Sequence, residues 1–277
     1  MITAPADTPE PAPIVCGTDF SEVASEVSEI AAMIANALSV PLKLVFARDW
    51  LADGAAPDAA VAMDESSLSQ LKEEAHQLGR TGATVDPMMS QGPPNDALIK
   101  IATDQKAQLV IVGWHGTNSR RHIESVPQLT IEYSPVPVLV IHDPERFKAW
   151  VRKDRALKIH VGADFTLSSD TALRWVKTLS TIGPCDITAT YIDQPSEEEK
   201  RLGLVPSQRG EGNMIEVQKT LERDLRAKVL SIFGNNEVKT LVFGNWATKS
   251  CQLIGLAEKD DADLIVVGTH QRHGVNQ

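Results

Sequence analysis

Short, unbroken apolar runs alternate along this chain with stretches whose apolar residues recur three and four positions apart. Pro13-Ile14-Val15-Cys16, Leu42 to Ala47 and Leu109-Val110-Ile111-Val112 are too short for helices and rich in β-branched residues. That is the pattern of strands buried on both faces of a parallel sheet. Between the first two runs Ser21 is placed as an N-cap, and Val23, Val27, Ile30, Ile34 and Leu38 follow at helical spacing until Pro41. Leu51 to Ala62 is rich in Ala, Gly and Asp and reads as a loop. Leu68 to Leu78 reads as a helix stopped at Gly79, Ala83 to Met88 as a weaker strand, and Asp96 to Lys106 as a helix. Pro137-Val138-Leu139-Val140-Ile141 closes a series of five strands with helices between them.

The pattern then restarts. Gly162-Ala163-Asp164-Phe165-Thr166 repeats Gly17-Thr18-Asp19-Phe20-Ser21 at an offset of 145. Phe46 lies 29 residues after Gly17, and Tyr191 lies 29 after Gly162. Ala102 stands 11 before Gly113, and Ala257 stands 11 before Gly268. Landmarks in one order with matching internal spacing identify a tandem duplication. The second copy carries about 10 extra residues in the polar stretch Gln194 to Gly212. Residues 1–12 read as a flexible leader, 13–143 as the first domain, 144–158 as a short structured connector and 159–277 as the second domain. That second copy stops a few residues past its glycine turn, without a counterpart of Pro137 to Ile141. It is expected to be truncated, because losing that element would expose a sheet edge.

Composition narrows the functional classes. A net charge of −10 and a pI of about 5.2 argue against broad electrostatic attraction to nucleic acid or an anionic membrane. No apolar run approaches the roughly 20 residues that cross a bilayer. Cys16, Cys185 and Cys251 are an odd, scattered set without CxxC spacing, which suits a reducing cytoplasm.

The chemistry is expected at the glycine turns. After Val112 the chain breaks at Gly113-Trp114-His115-Gly116, where glycines permit close backbone approach to a ligand. In open α/β sheets ligands bind at this carboxyl edge. Asp19 and Asp164 either cap the helices that follow them or face a ligand. A dehydrogenase fingerprint G-x-G-x-x-G is missing after the first strand, and GK[ST] is missing throughout. Glu73-Glu74-Ala75-His76 lacks the second histidine of a zinc motif, so no metal site is assigned.

These motifs together resemble the universal stress protein family in its tandem two-domain form. The resemblance rests on the Gly-x-Asp-Phe-[Ser/Thr] turn in both halves, on Val112-Gly113-Trp114-His115-Gly116, on the Ser134 to Ile141 ending and on Val267-Gly268-Thr269-His270. It implies two domains, each a parallel five-stranded sheet of order 3-2-1-4-5 with helices on both faces, paired through their fifth strands. The result would be an internal pseudo-dimer, and two chains would form a homodimer. It also implies ATP binding, with Mg2+, through G-x2-G-x9-G-[ST]. Carried over to this chain, the motif assigns Thr18, Asp19, Ala47, Gly113, His115, Gly116, Ser125 and Val126 in the first domain. In the second it assigns Ala163, Asp164, Ile192, Gly268, His270 and Gly274. The loop departs from the motif: seven residues separate Gly116 from Glu124, which stands where glycine is expected, and Gln271 replaces the second glycine. The expectation is a cytoplasmic stress-response protein that binds an adenine nucleotide without efficient catalysis. The alternative is an interaction protein with vestigial phosphate loops that meets other proteins.

Overall fold

β1 (Ile14–Gly17) lies at the centre of a parallel sheet, with β2 (Leu42–Arg48) on one side and β4 (Leu109–Gly113) on the other. β3 (Val85–Gln91) and β5 (Val138–Ile141) form the edges, in the order 3-2-1-4-5. Ile14 pairs with both Leu42 and Leu109, so the direction of winding reverses at β1. The computed structural model describes residues 11–48, 57–114, 125–193, 211–235, 237–244 and 248–269, with backbone alone at 57–63 and 211–214. It divides into two units, Met1–Val151 and Arg152–Gln277.

Local chemistry accounts for the helices of the first unit. Ser21 Oγ accepts the Ala24 N–H at 3.2 Å and starts α1 (Glu22–Leu38), which ends at Ser39 in a left-handed conformation. α1 buries Val27, Ile30, Ala31, Ile34 and Ala35, whereas Val23 stays exposed. α2 (Pro57–Gly79) starts well before Leu68, within the stretch read as a loop. Its first residue is proline, pre-set for a first helical position, and three alanines follow within five residues. α3 (Pro94–Asp104) and α4 (Val126–Tyr133) cover the other sheet face. There Val15, Val45, Leu98, Ile101, Ala102, Val110 and Val112 form one core cluster. The expected connector contains α5 (Pro144–Val151), which packs on α1 with Phe147 and Trp150 buried and Lys148 2.9 Å from Glu29.

The second unit repeats the arrangement with β6 (Leu157–Gly162), α6 (Leu167–Ile182), β7 (Cys185–Asp193), α7 (Glu211–Phe233), β8 (Lys239–Gly244), α8 (Lys249–Lys259) and β9 (Leu264–Val266). Its parallel sheet runs β8-β7-β6-β9, the counterpart of 3-2-1-4. The fifth strand expected from the resemblance is not among the described residues. α7 begins inside the polar stretch assigned above to an insertion, and its stripe Leu221, Leu225, Val229 and Ile232 is buried. Asp263 ties the starts of β6 and β9 together. Its carboxylate, fully buried, takes a bidentate contact from Arg155 at 2.9 and 3.0 Å and the Lys158 N–H at 2.9 Å.

Candidate functional site

In both units the chain leaves the central strand through the same turn. Thr18 N–H donates to Val45 O, and Ala163 N–H donates to Thr190 O, each at 2.9 Å. Asp19 Oδ1 then accepts the Ser21 N–H at 3.0 Å. Asp164 Oδ1 accepts the Thr166 N–H at 3.1 Å and its hydroxyl at 2.6 Å. A short acidic side chain two residues before a helix N-cap closes such a turn on itself. Phe20 and Phe165 between them both have φ of 62°, a left-handed conformation that costs a non-glycine residue about 1–2 kcal/mol. Aromatic contacts offset that cost: Phe20 stacks on Phe46 at 4.5 Å, and Phe165 meets Tyr191 at 5.0 Å.

These turns stand at the carboxyl edge where β1 parts from β4, and β6 from β9. Gly113, opposite Ile141 in the register, ends β4, and the exposed Trp114 extends the pairing by donating its N–H to Ile141 O at 3.0 Å. Gly268 follows β9 and lies directly against the amino end of α6. A Cβ there would sit 2.4 Å from the Ser168 carbonyl and 2.7 Å from Ser169 N. Ser125 Oγ accepts the Gln128 N–H at 3.3 Å as the N-cap of α4, and Val126 packs against the core cluster. Ala47 is half-buried opposite Ser90, and Ile192 is buried opposite Phe243. His115, Gly116, Glu124, His270, Gln271 and Gly274 lie outside the described residues. The structure therefore brings Thr18, Asp19 and Ala47 to one edge with Gly113, and Ala163, Asp164 and Ile192 to its counterpart with Gly268.

One participant was not assigned from sequence. Glu74, on α2, accepts the Thr18 hydroxyl at 3.2 Å on Oε2 and 3.3 Å on Oε1. Thr18 Oγ1 in turn accepts the Phe20 N–H at 3.2 Å. Burial pushes the Glu74 carboxyl above its ordinary range, hydrogen bonds from Ser28 and Thr18 oppose that rise, and the Asp19 charge adds to it. Cys16 Sγ lies 3.9 Å from Ser28 Oγ, and burial drives its thiol up to about 12, which keeps it protonated and unreactive. A sequence signal for Glu74 does exist. It shares a helical stripe with Leu71, Ala75 and Leu78, all buried, where a carboxylate is out of place.

The second unit reverses this distribution of polarity. Val161, Ala163 and Leu173 replace Cys16, Thr18 and Ser28, and alignment of the buried stripes of α2 and α7 puts Lys228 at the place of Glu74. Lys228 Nζ reaches Asp170 at 2.8 Å instead. On the opposite sheet face His160, Thr190 and Gln252 are buried where the first unit has Val15, Val45 and Ala97. His160 Nε2 lies 3.0 Å from Asp260 Oδ2. Among the described residues no group of three His, Cys, Asp or Glu is placed to hold a metal, and no helix is long and apolar enough to cross a membrane. Chemically, each edge offers a carboxylate oriented by its own turn, able to accept hydrogen bonds from a ligand hydroxyl or amine.

A family model described as the universal stress protein family matches residues 12–142 and again 156–277. Two Mycobacterium tuberculosis proteins, universal stress proteins Rv1636 and MT1672, are each 33% identical over 145 residues, covering 47% of this chain and 94% of the relative. A solved universal stress protein from Archaeoglobus fulgidus DSM 4304 is similar over 91% of this chain and 85% of its own, with a TM-score of 0.64 and 16% identity. PA1789 from Pseudomonas aeruginosa PAO1, described as functionally unknown, covers 95% of this chain and 84% of its own, with a TM-score of 0.56 and 13% identity. At those identities the two structures speak for the fold alone.

Proposed function

The chain belongs to the universal stress protein family in both halves, and from that membership we propose that it acts by binding an adenine nucleotide, without efficient catalysis. The ligand on this reading is ATP, with Mg2+, held in at least one unit. The observation that carries the reading is the pair of matching turns, each presenting Asp19 or Asp164 where the strand order reverses. A residue strained at φ 62° next to each aspartate is a feature that clusters at functional sites. Asp19 and Asp164 would hold the adenosine end or its metal, and the backbone amides from Gly113 and from Gly268 would hold phosphates. The same proposal has the protein act in the cytoplasm and two chains form a homodimer, which light scattering would test.

A second reading, a non-nucleotide interaction protein, is favoured by one observation. Glu124 stands at a glycine position of a loop two residues short. Its charge beside a triphosphate would cost on the order of 1 kcal/mol at 4 Å in water and several when partly buried. Calorimetry of the full chain with millimolar ATP and Mg2+ separates the readings. Binding that is weakened in Asp19→Ala or Asp164→Ala supports the nucleotide reading and assigns the unit. Titrations without heat for the wild type and for Glu124→Gly alike support the interaction reading.

A further inference from the structure

We propose that Glu74 is a positioning residue for the nucleotide site of the first unit, acting through Thr18 to fix the turn that presents Asp19. The inference rests on the binding reading above. Its geometry is a relay: Phe20 N–H donates to Thr18 Oγ1, and the same hydroxyl donates to the Glu74 carboxylate. One end of the relay is a residue in a strained left-handed conformation beside Asp19. The other is Glu74 on α2, 56 residues from Thr18 in sequence. Thr18 is buried, and both functions of its hydroxyl serve the protein, so its side chain belongs to the scaffold of the site.

Glu74 is not needed to pack α2. Leu71, Ala75 and Leu78 already bury its stripe, and an apolar residue at 74 would complete it. The carboxylate is instead held against the desolvation that burial imposes, by the hydroxyls of Thr18 and Ser28. The second unit builds the same turn without this brace. Ala163 has no hydroxyl, and the Asp164 N–H donates to Ser169 Oγ at 3.1 Å, while the Thr166 hydroxyl donates to Asp164. That turn is held by its own helix α6. The turn of the first unit is held from α2, so disturbance of α2 is transmitted to Asp19 and not to Asp164.

The test uses the full chain carrying Asp164→Ala, so that the first unit is the site measured by calorimetry with ATP and Mg2+. Thr18→Val and Glu74→Ala are each expected to weaken binding about tenfold, the scale of one charge-assisted hydrogen bond. The double variant is expected to be no weaker than either single, because both break one relay. Glu74→Gln, whose amide oxygen still accepts from Thr18, is expected to stay within about threefold of the parent. Losses that add in the double variant, or singles within about twofold of the parent, overturn the proposal. If Glu74→Ala fails to fold, the isosteric Thr18→Val decides by the same thresholds. A parent that binds no ATP overturns the binding reading of the first unit and this proposal with it. A parent that binds, with Asp19→Ala abolishing binding and Thr18→Val leaving it intact, overturns the proposal alone.

Discussion

Phe20 and Phe165, 145 residues apart, share the same φ of 62°, and each sets its ring against an aromatic side chain at the equivalent position of the neighbouring strand. The two turns share the aspartate-closed hydrogen bond and differ in their outer braces, yet reach the same φ. The strain therefore belongs to the turn they share.

That geometry reverses an ordinary order of substitution. Glycine usually destabilises relative to alanine, but at positive φ it removes a steric penalty of about 1 kcal/mol. Phe165→Gly is expected to have an unfolding free energy higher than Phe165→Ala by about that amount, and so a higher denaturant midpoint, although both lose the Tyr191 contact. Equal midpoints, or alanine ahead, would contradict the left-handed turn.

Glu74 gives a pH dependence whose sign follows from burial. Its carboxyl is raised above the ordinary range, so the folded protein binds this proton more readily than the unfolded chain does. The resulting stability is present below the unfolded-state value and is lost as pH rises through the folded-state value. Glu74→Gln, neutral throughout, is expected to be more stable than wild type near neutral pH, with the gap closing toward about pH 4. Urea unfolding of both proteins across that range is the check, and a gap that widens on acidification would refute the assignment.

In the second unit Arg155 and Asp263 form a bidentate pair with the carboxylate fully buried. Arg155→Leu would take the guanidinium away from that buried charge while the Lys158 N–H stays in contact with it, and is expected to cost on the order of 3 kcal/mol. Denaturant unfolding measures it. A loss within about 0.5 kcal/mol would place the pair with ordinary surface contacts.

Two glycines behave oppositely. Gly255 lies inside α8, and a methyl group added there would meet nothing within 4 Å, so Gly255→Ala is expected to stabilise by about 0.5–1 kcal/mol. Gly268 meets backbone atoms of Ser168 and Ser169 that cannot yield, so Gly268→Ala is expected to destabilise by about 2 kcal/mol or more. Thermal midpoints of the two variants should move in opposite directions.

Much of this architecture was legible in the chain. Ser21 as a cap, the apolar runs of β1 and β4 and the 145-residue offset can be read directly from the residues, whereas the sheet order is implied by the family resemblance and Thr166 emerges as the N-cap of α6 only in the structure. The starts of α2 and α7 were not legible. Pro57 sits in an Ala- and Gly-rich stretch, and Glu211 in a polar one, so neither displays an apolar stripe at its first turn. The Glu74 contact with Thr18 was hidden for a different reason. It spans 56 residues and depends on how α2 lies against β3, β2 and α1, which no window of sequence reports. The exchange of polar and apolar faces between the units became visible only once their buried positions were matched.

The most direct measurement denatures the purified full-length protein and chromatographs the small molecules it releases. A stoichiometric adenine nucleotide is expected, reduced when Asp19 or Asp164 is replaced by alanine. An empty supernatant, together with no calorimetric binding at millimolar ATP with Mg2+, would contradict it and leave the paired turns as scaffolding for an interaction protein.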